Sequence, residues 1–370
     1  MGYENTTKGG KKEKKKDRES YRKTTQLSRM GSTGGGGSPC GAKAITAAAA
    51  DDYLRIDATN MTSENLETRG ANPFVSNAFD TKRLIFENKD NQLVEVKRRL
   101  TAMNHVICEL VGRGTYAEVY RGRNEDAGKD VAIKVIALTE ANRHYQETFL
   151  QNEIEVIQKL KHRRIIRLYS IFQVDNKIVM VMEYAERGTL GDLISKRGAL
   201  RELPSWAMFK EAHSGLTYMH DRLSIAHRDL KLENILITRN WVPKLADFSF
   251  SVTFDGHTLH TQWCGSLPYF APELLRNEPY NPLATDIWSM GVCLYIISND
   301  TFPFKTDNDE EMLKAQMERR WVLRPRTEKT YSPRYKDLLR LMLEPKVRYR
   351  ATAKQVESHR WVATDMTKRD

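Results

Sequence analysis

His227-Arg228-Asp229-Leu230-Lys231-Leu232-Glu233-Asn234 carries the densest chemistry in this 370-residue chain: a carboxylate, an ammonium, a second carboxylate and an amide fall within residues 229–234. Transfer of a phosphoryl group to a hydroxyl asks a protein for position and charge neutralisation. It needs an acceptor for the hydroxyl proton and oxygen ligands for a divalent cation. Asp229 suits the first requirement and Asn234 the second. Lys231 suits a migrating phosphate, and Glu233 suits a basic group on a substrate chain. A polar surface turn can have the same composition, so the stretch acquires meaning only from its partners.

The first partner lies upstream, where Leu110-Val111-Gly112-Arg113-Gly114-Thr115-Tyr116-Ala117-Glu118-Val119 follows a segment alternating as strands do from His105 onward. Glycines at this spacing also make plain hairpins and dinucleotide turns. A dinucleotide site needs a helix after the loop, whereas here 119–122 continues as strand and another strand, Val131-Ala132-Ile133-Lys134, comes next. A strand, loop and strand covering nucleotide phosphates is expected. An unpaired ammonium on so apolar a strand is costly, so Lys134 requires a carboxylate. Residues 146–161 hold Phe149, Ile154, Ile157 and Leu160 at helical spacing and offer Glu153 and Glu155. The basic cluster His162-Arg163-Arg164 reads as a solvent-facing loop.

Residues 177–182 read as a strand running into Glu183-Tyr184-Ala185-Glu186-Arg187-Gly188, a polar connection between two lobes. Residues 189–195 and 204–222 read as helices, and His213 and His220 in the second are read as packed or capping residues. Beyond the opening stretch, Ile235-Leu236-Ile237 is a short strand, and strand-like 242–246 delivers Asp247-Phe248-Ser249. Asp247 supplies a further carboxylate where a triphosphate's charge must be neutralised.

The composition, 40% hydrophobic, supports a substantial core, and no run approaches the roughly 18 apolar residues of a membrane span. No apolar core for a secretory signal is present at the N-terminus. Cys40, Cys108, Cys264 and Cys293 lack C-x-x-C spacing, which suggests neither a disulfide framework nor a zinc site and suits a reducing compartment. Of the net charge of +11, a balance of +6 lies in residues 1–30, ten Lys/Arg against four Asp/Glu. Residues 1–80, with lysines at 11–16, a Gly/Ser stretch and an alanine run, cannot bury enough apolar surface to offset ordering. A disordered arm is expected there, free in solution or bound to an acidic partner or anionic surface. Met1-Gly2 with Thr6 fits an acylation pattern, against which bulky Tyr3 argues.

With these motifs in this order, residues about 104–362 resemble the eukaryotic protein kinases, in the calcium/calmodulin-dependent-like group. Lys244-Leu245-Ala246-Asp247-Phe248-Ser249-Phe250-Ser251, Trp263-Cys264-Gly265-Ser266 and Ala271-Pro272-Glu273-Leu274-Leu275 look like the testis-specific serine/threonine kinases. The resemblance implies an α+β, bilobal protein-kinase fold with a five-stranded β-rich N-lobe over 104–184 and a mainly helical C-lobe over 188–362. The disordered arm over 1–80, a lead-in strand or helix over 81–103 and a short tail over 363–370 complete the division. It further implies transfer of the γ-phosphate of ATP, with magnesium, to Ser/Thr hydroxyls of protein substrates, with a role in sperm formation or signalling and a cytoplasmic and nuclear location.

The resemblance also distributes roles. Asp229 and Lys231 become catalytic, and Asn234 and Asp247 metal ligands. Val111, Gly112, Arg113, Gly114, Thr115, Tyr116, Ala117, Glu118 and Val119 form the cover over ATP, with Ala117 where relatives have a third glycine. Val119 and Ala132 cap adenine, Leu236 is its floor, Glu183 and Ala185 offer backbone groups, and Met182 guards the pocket behind. Glu153, rather than Glu155, pairs with Lys134, because it stands nine residues before His162, the usual offset. Glu273 is expected against Arg350, and Asp286 on the catalytic-loop backbone.

Several positions depart from the pattern. Ser249 replaces glycine, which lowers backbone freedom and biases the loop against a flipped arrangement. Gln262 stands where relatives have an activating threonine, so either Thr258 or Thr261 substitutes or the loop needs no phosphate and the Gln262 amide bonds locally. The chain stops nine residues after Trp361, so calmodulin control is not expected. Thr189 and Ile296 stand where basophilic relatives place acids, which predicts only modest preference for arginine-rich substrates. Two rival readings are a pseudokinase scaffold, opposed by the presence of Lys134, Glu153, Asp229, Asn234 and Asp247, and a basic-arm tether with a weakly active kinase domain.

Overall fold

The computed structural model describes residues 92–367 apart from Thr115 and Thr306. The arm expected over 1–80, the first part of the lead-in, the site residue Thr115 and the last residues of the tail lie outside the described residues. The lead-in resolves into a helix, α1 (Gln92–Thr101), followed by β1 (His105–Arg113), β2 (Ala117–Asn124) and β3 (Lys129–Ala137). With β4 (Leu168–Val174) and β5 (Lys177–Glu183) they make a five-stranded antiparallel sheet in the order β1-β2-β3-β5-β4.

Alternation along β3 explains why the sheet buries both faces. Val131, Ile133 and Val135 join Val179 and Val181 of β5 on one side, where Val96 and Leu100 of α1 cover them. Ile136 and Met180 project to the other side and meet Leu150 and Ile154. Ile154 belongs to α2 (Gln151–Lys159) and Leu150 to the π-helical turn Gln146–Leu150 that leads into it. The helix expected over 146–161 is thus present, but begins a turn earlier at Arg143 and contains this wider turn.

The larger lobe is helical. It comprises α3 (Leu190–Arg197), α4 (Glu202–Thr217), the short α5 (Pro272–Leu275), the central α6 (Pro282–Asn299), α7 (Asp309–Met317), α8 (Pro325–Thr330), α9 (Pro333–Met342), α10 (Ala353–Ser358) and α11 (Arg360–Ala363). α6 is apolar on nearly every side because it runs through the core, where Trp288, Val292, Cys293 and Leu294 are fully buried. Its start is set by Pro282 and by the Asn281 side chain, which accepts the Leu283 and Ala284 N–H groups at 2.9 and 3.3 Å. At the lobe boundary, β6 (Ile225–Ala226) pairs with β9 (Val252–Thr253), and β7 (Ile235–Ile237) with β8 (Pro243–Leu245).

The basic loop expected to face solvent does so at Arg163 but not at Arg164, which is buried with its guanidinium bonded to Glu211 of α4, because a cation taken out of water needs a counter-ion. His162 stacks on Tyr218 at 4.9 Å, and burial together with Arg163 and Arg164 pushes its imidazole down to about 4. No helix among the described residues is long and apolar enough to cross a membrane.

Candidate active site

The stretch 227–234 bridges β6 and β7, and its backbone is forced into an unusual path: Arg228 has φ 63°. That left-handed conformation costs a non-glycine residue about 1–3 kcal/mol and needs external support. Asp286 of α6 supplies it, accepting the His227 and Arg228 N–H groups at 2.7 and 2.8 Å while contacting His220 Nε2 at 2.9 Å. The His227 ring lies 3.0 Å from the Ala246 carbonyl oxygen through Nε2 and 5.3 Å from the Phe248 ring, tying this loop to Asp247-Phe248-Ser249.

So held, Asp229 collects three donors. Lys231 Nζ donates to its Oδ2 at 2.7 Å, the Asn234 amide to the same oxygen at 3.1 Å, and the Ser266 hydroxyl to Oδ1 at 2.8 Å. Asn234 also donates to the Asp229 carbonyl at 2.8 Å. Burial opposes the charge on Lys231, but Asp229 outweighs it and the ammonium is held above its ordinary pKa. Ser266 was not assigned a role from sequence, although it lies in the quoted Trp263-Cys264-Gly265-Ser266 run. Gly265 next to it has φ 107°, and a Cβ there would meet the Arg228 carbonyl oxygen at 2.5 Å, so only glycine lets the two loops touch.

Above this group, Lys134 Nζ lies 2.5 Å from Glu153 Oε1, 3.4 Å from the Ser249 hydroxyl and 3.7 Å from Asp247 Oδ1. The β3–α2 pairing therefore brings together the ammonium and the acid chosen by spacing; Glu155 instead takes the Gln151 amide at 2.7 Å. Desolvation works against the ammonium, yet Glu153 and then Asp247 raise the Lys134 pKa. Desolvation likewise opposes ionised Asp247, but Lys134 and the Ser249 hydroxyl, 2.6 Å from Oδ1, hold its carboxyl at about 2. Asp247 is exposed to the cleft, with 46% of its side chain accessible, and like Arg228 has a left-handed φ of 60°.

Sheet register sets Ala132 opposite Met182 and Val119 opposite Lys134. Met182 and Leu236 pack against Ile166, Ala185 and Ala246, so the proposed hinge, floor and gate form one apolar wall. The Glu183 side chain accepts from Lys244 at 2.8 Å and from the Arg167 N–H at 3.3 Å. Val111 is half-exposed at the end of β1, and Gly112 pairs with Val119. Gly114 N–H donates to the Ala117 carbonyl at 2.8 Å, closing the loop's base. Arg113 and Glu118 face one another at 3.3 Å across the hairpin, so their charges are spent on each other. Tyr116 turns toward the helix side, stacking on Tyr145 at 4.5 Å.

Comparison with known proteins agrees with this geometry. Residues 105–362 match the family model described as protein kinase domain. The chain is 39% identical over 258 residues to testis-specific serine/threonine-protein kinase 1 of Mus musculus, covering 68% of this chain and 70% of that protein. Testis-specific serine/threonine-protein kinase 2 of the same organism is 38% identical over 269 residues, 71% of this chain and 74% of that one. NUAK family SNF1-like kinase 2 of Homo sapiens is 37% identical over 257 residues, 69% of this chain but 39% of that longer protein.

Proposed function

The chain belongs to the protein kinase family and is a serine/threonine protein kinase, and from that premise we propose which residues carry the reaction. Asp229 accepts the proton of the substrate hydroxyl, and Lys231 with Ser266 steadies both this carboxylate and the phosphate in transit. Glu153 orients Lys134 toward nucleotide phosphates. The donor set fits magnesium: a carboxylate kept ionised (Asp247) and an amide oxygen on Asn234, whose nitrogen is already used on Asp229, are the hard oxygen ligands that cation takes. Bound there, magnesium supplies neutralisation of the triphosphate's charge. Val119, Ala132, Met182, Ala185 and Leu236 supply apolar surface for adenine, and the glycine loop from Val111 to Ala117 covers the phosphates. ATP is the phosphoryl donor in this reading.

The observation that carries the proposal is the junction at Lys134, where one ammonium meets Glu153 at 2.5 Å and Asp247 at 3.7 Å. Likeness to testis-specific kinases supports a role in sperm formation, and the lysine-rich arm supports an acidic partner and a cytoplasmic and nuclear location. The test is magnesium-dependent phosphate transfer from ATP to a Ser/Thr peptide library by the full chain and by Asp229→Asn. Loss of at least about a hundredfold in the variant is expected; equal transfer by both proteins would sink the assignment.

A further inference from the structure

Four aromatic rings run from the glycine loop to Phe250, just past Asp247-Phe248-Ser249, and three of them, Tyr145, Phe149 and Phe250, have no role in the chemistry above. Tyr116 lies nearly parallel to Tyr145, with centroids 4.5 Å apart and planes 19° apart. Tyr145 lies 6.4 Å from Phe149 at 27°, and Phe149 meets Phe250 edge-on at 5.1 Å. The rings come from three separate parts: the β1–β2 loop, the helical turns leading into α2, and the residue following Ser249. Tyr145 is 5% exposed, and its hydroxyl donates to Glu153 Oε2 at 2.5 Å. The Glu153 carboxylate is thereby divided, one oxygen for Lys134 and the other for Tyr145.

Each contact has a distinct effect. A loop anchored only at its base by the Gly114–Ala117 hydrogen bond swings about that base. A stacked pair at its tip biases it toward the closed position by a factor of about two to ten. The hydroxyl acts on the other side of the ring. A carboxylate with one free oxygen can rotate away from its ammonium, whereas one fixed at both oxygens cannot without losing a charge-assisted bond. Burial and the neighbouring Glu153 keep the phenol protonated, as a donor to a carboxylate must be.

We propose that Tyr145 is a positioning residue that couples the glycine loop to the Lys134–Glu153 pair, its ring holding that loop through the stack on Tyr116 and its hydroxyl holding Glu153. The inference rests on the reading of this site as the ATP site. It separates two parameters that a merely structural role would move together. Tyr116 is 41% exposed, so Tyr116→Ala leaves the fold intact while removing the stack. Tyr145→Phe keeps the ring and removes only the hydroxyl.

The experiment measures kcat and the KM for ATP of the full chain, Tyr116→Ala, Tyr145→Phe, the pair combined and Asp229→Asn. Tyr116→Ala is expected to raise the KM for ATP about threefold to tenfold with kcat within about twofold. Tyr145→Phe is expected to lower kcat about fivefold to tenfold with the KM for ATP within about twofold. An unchanged KM in Tyr116→Ala, or an unchanged kcat in Tyr145→Phe, overturns the coupling. Equal transfer by the parent and Asp229→Asn overturns the ATP-site reading instead, and the inference with it, so the two failures are told apart.

Discussion

Ser249 offers its hydroxyl to the site as well as a stiffer backbone. It donates to Asp247 Oδ1 at 2.6 Å and stands 3.4 Å from Lys134 Nζ, linking the two charges directly. If the hydroxyl is what matters, Ser249→Ala and Ser249→Gly should both lower kcat/KM by about fivefold to tenfold and raise the magnesium needed for half-maximal rate. A glycine variant as active as the parent, beside an impaired alanine variant, would restore the backbone explanation. Lys134, Asp229, Asn234 and Asp247 were readable from the chain because each lies in a short run whose chemistry tolerates few alternatives. Tyr145 was not. An aromatic ahead of an amphipathic helix reads as core, and the π-helical turn at 146–150 breaks the 3.6-residue phase by which Tyr145 could have been aligned with Glu153.

Among elements, the activation segment, residues 247–273, is fastened at Gln262 by neutral groups. Tyr280 donates to the Gln262 carbonyl oxygen at 2.6 Å and exchanges both backbone hydrogen bonds with His260, at 2.9 and 3.0 Å. Arg228 donates through Nε to the Phe250 carbonyl at 2.6 Å and lies 3.5 Å from the Tyr280 hydroxyl. The backbone of Gln262 is thus fastened by a neutral tyrosine. Thr258 gives its hydroxyl to Asp255 at 2.6 Å, and a phosphate there would meet that carboxylate as a like charge. If Thr261 needs no phosphate either, phosphatase-treated enzyme should retain activity within about twofold, and Tyr280→Phe should lose about fivefold, one neutral hydrogen bond's worth. Collapse of activity after phosphatase treatment would mean that a loop phosphate is required. The burial of Arg164 was illegible for a related reason: its partner Glu211 stands on a different element, and local charge clustering cannot reveal a counter-ion brought in by folding.

For the molecule as a whole, a buried imidazole is expected to lower stability in acid. His213 on α4 is fully buried, stacked on Phe209 at 5.4 Å, with Nε2 2.9 Å from the Ala353 carbonyl oxygen of α10. Burial pushes its pKa from 6.5 down to about 4. Below 6.5 the unfolded chain gains a proton that the folded one refuses, so stability falls as pH drops and levels off near the folded value. The loss should reach about 2 kcal/mol by about pH 5. Urea midpoints across this range should fall less steeply in His213→Gln, which can still donate to Ala353; an identical slope would remove His213 as the cause. The strands and helices of the two lobes were legible, because strand alternation and helical spacing are local patterns, and their two-lobed arrangement came with the family resemblance. The seat of α1 was not legible, since four apolar residues in a charged helix, of which only Val96 and Leu100 are buried, do not say which sheet they cover.

That helix has a practical consequence. α1 touches β1 and β4, the two edges of the sheet, and its Val96 and Leu100 are wholly inaccessible against the valines of β3 and β5. The family match begins only at His105. A protein cut at that boundary would lay bare an apolar strip, losing about 25 cal/mol for each Å² uncovered and gaining a surface prone to self-association. The shortest well-behaved catalytic fragment therefore starts no later than residue 92, ahead of the border that kinship alone would draw.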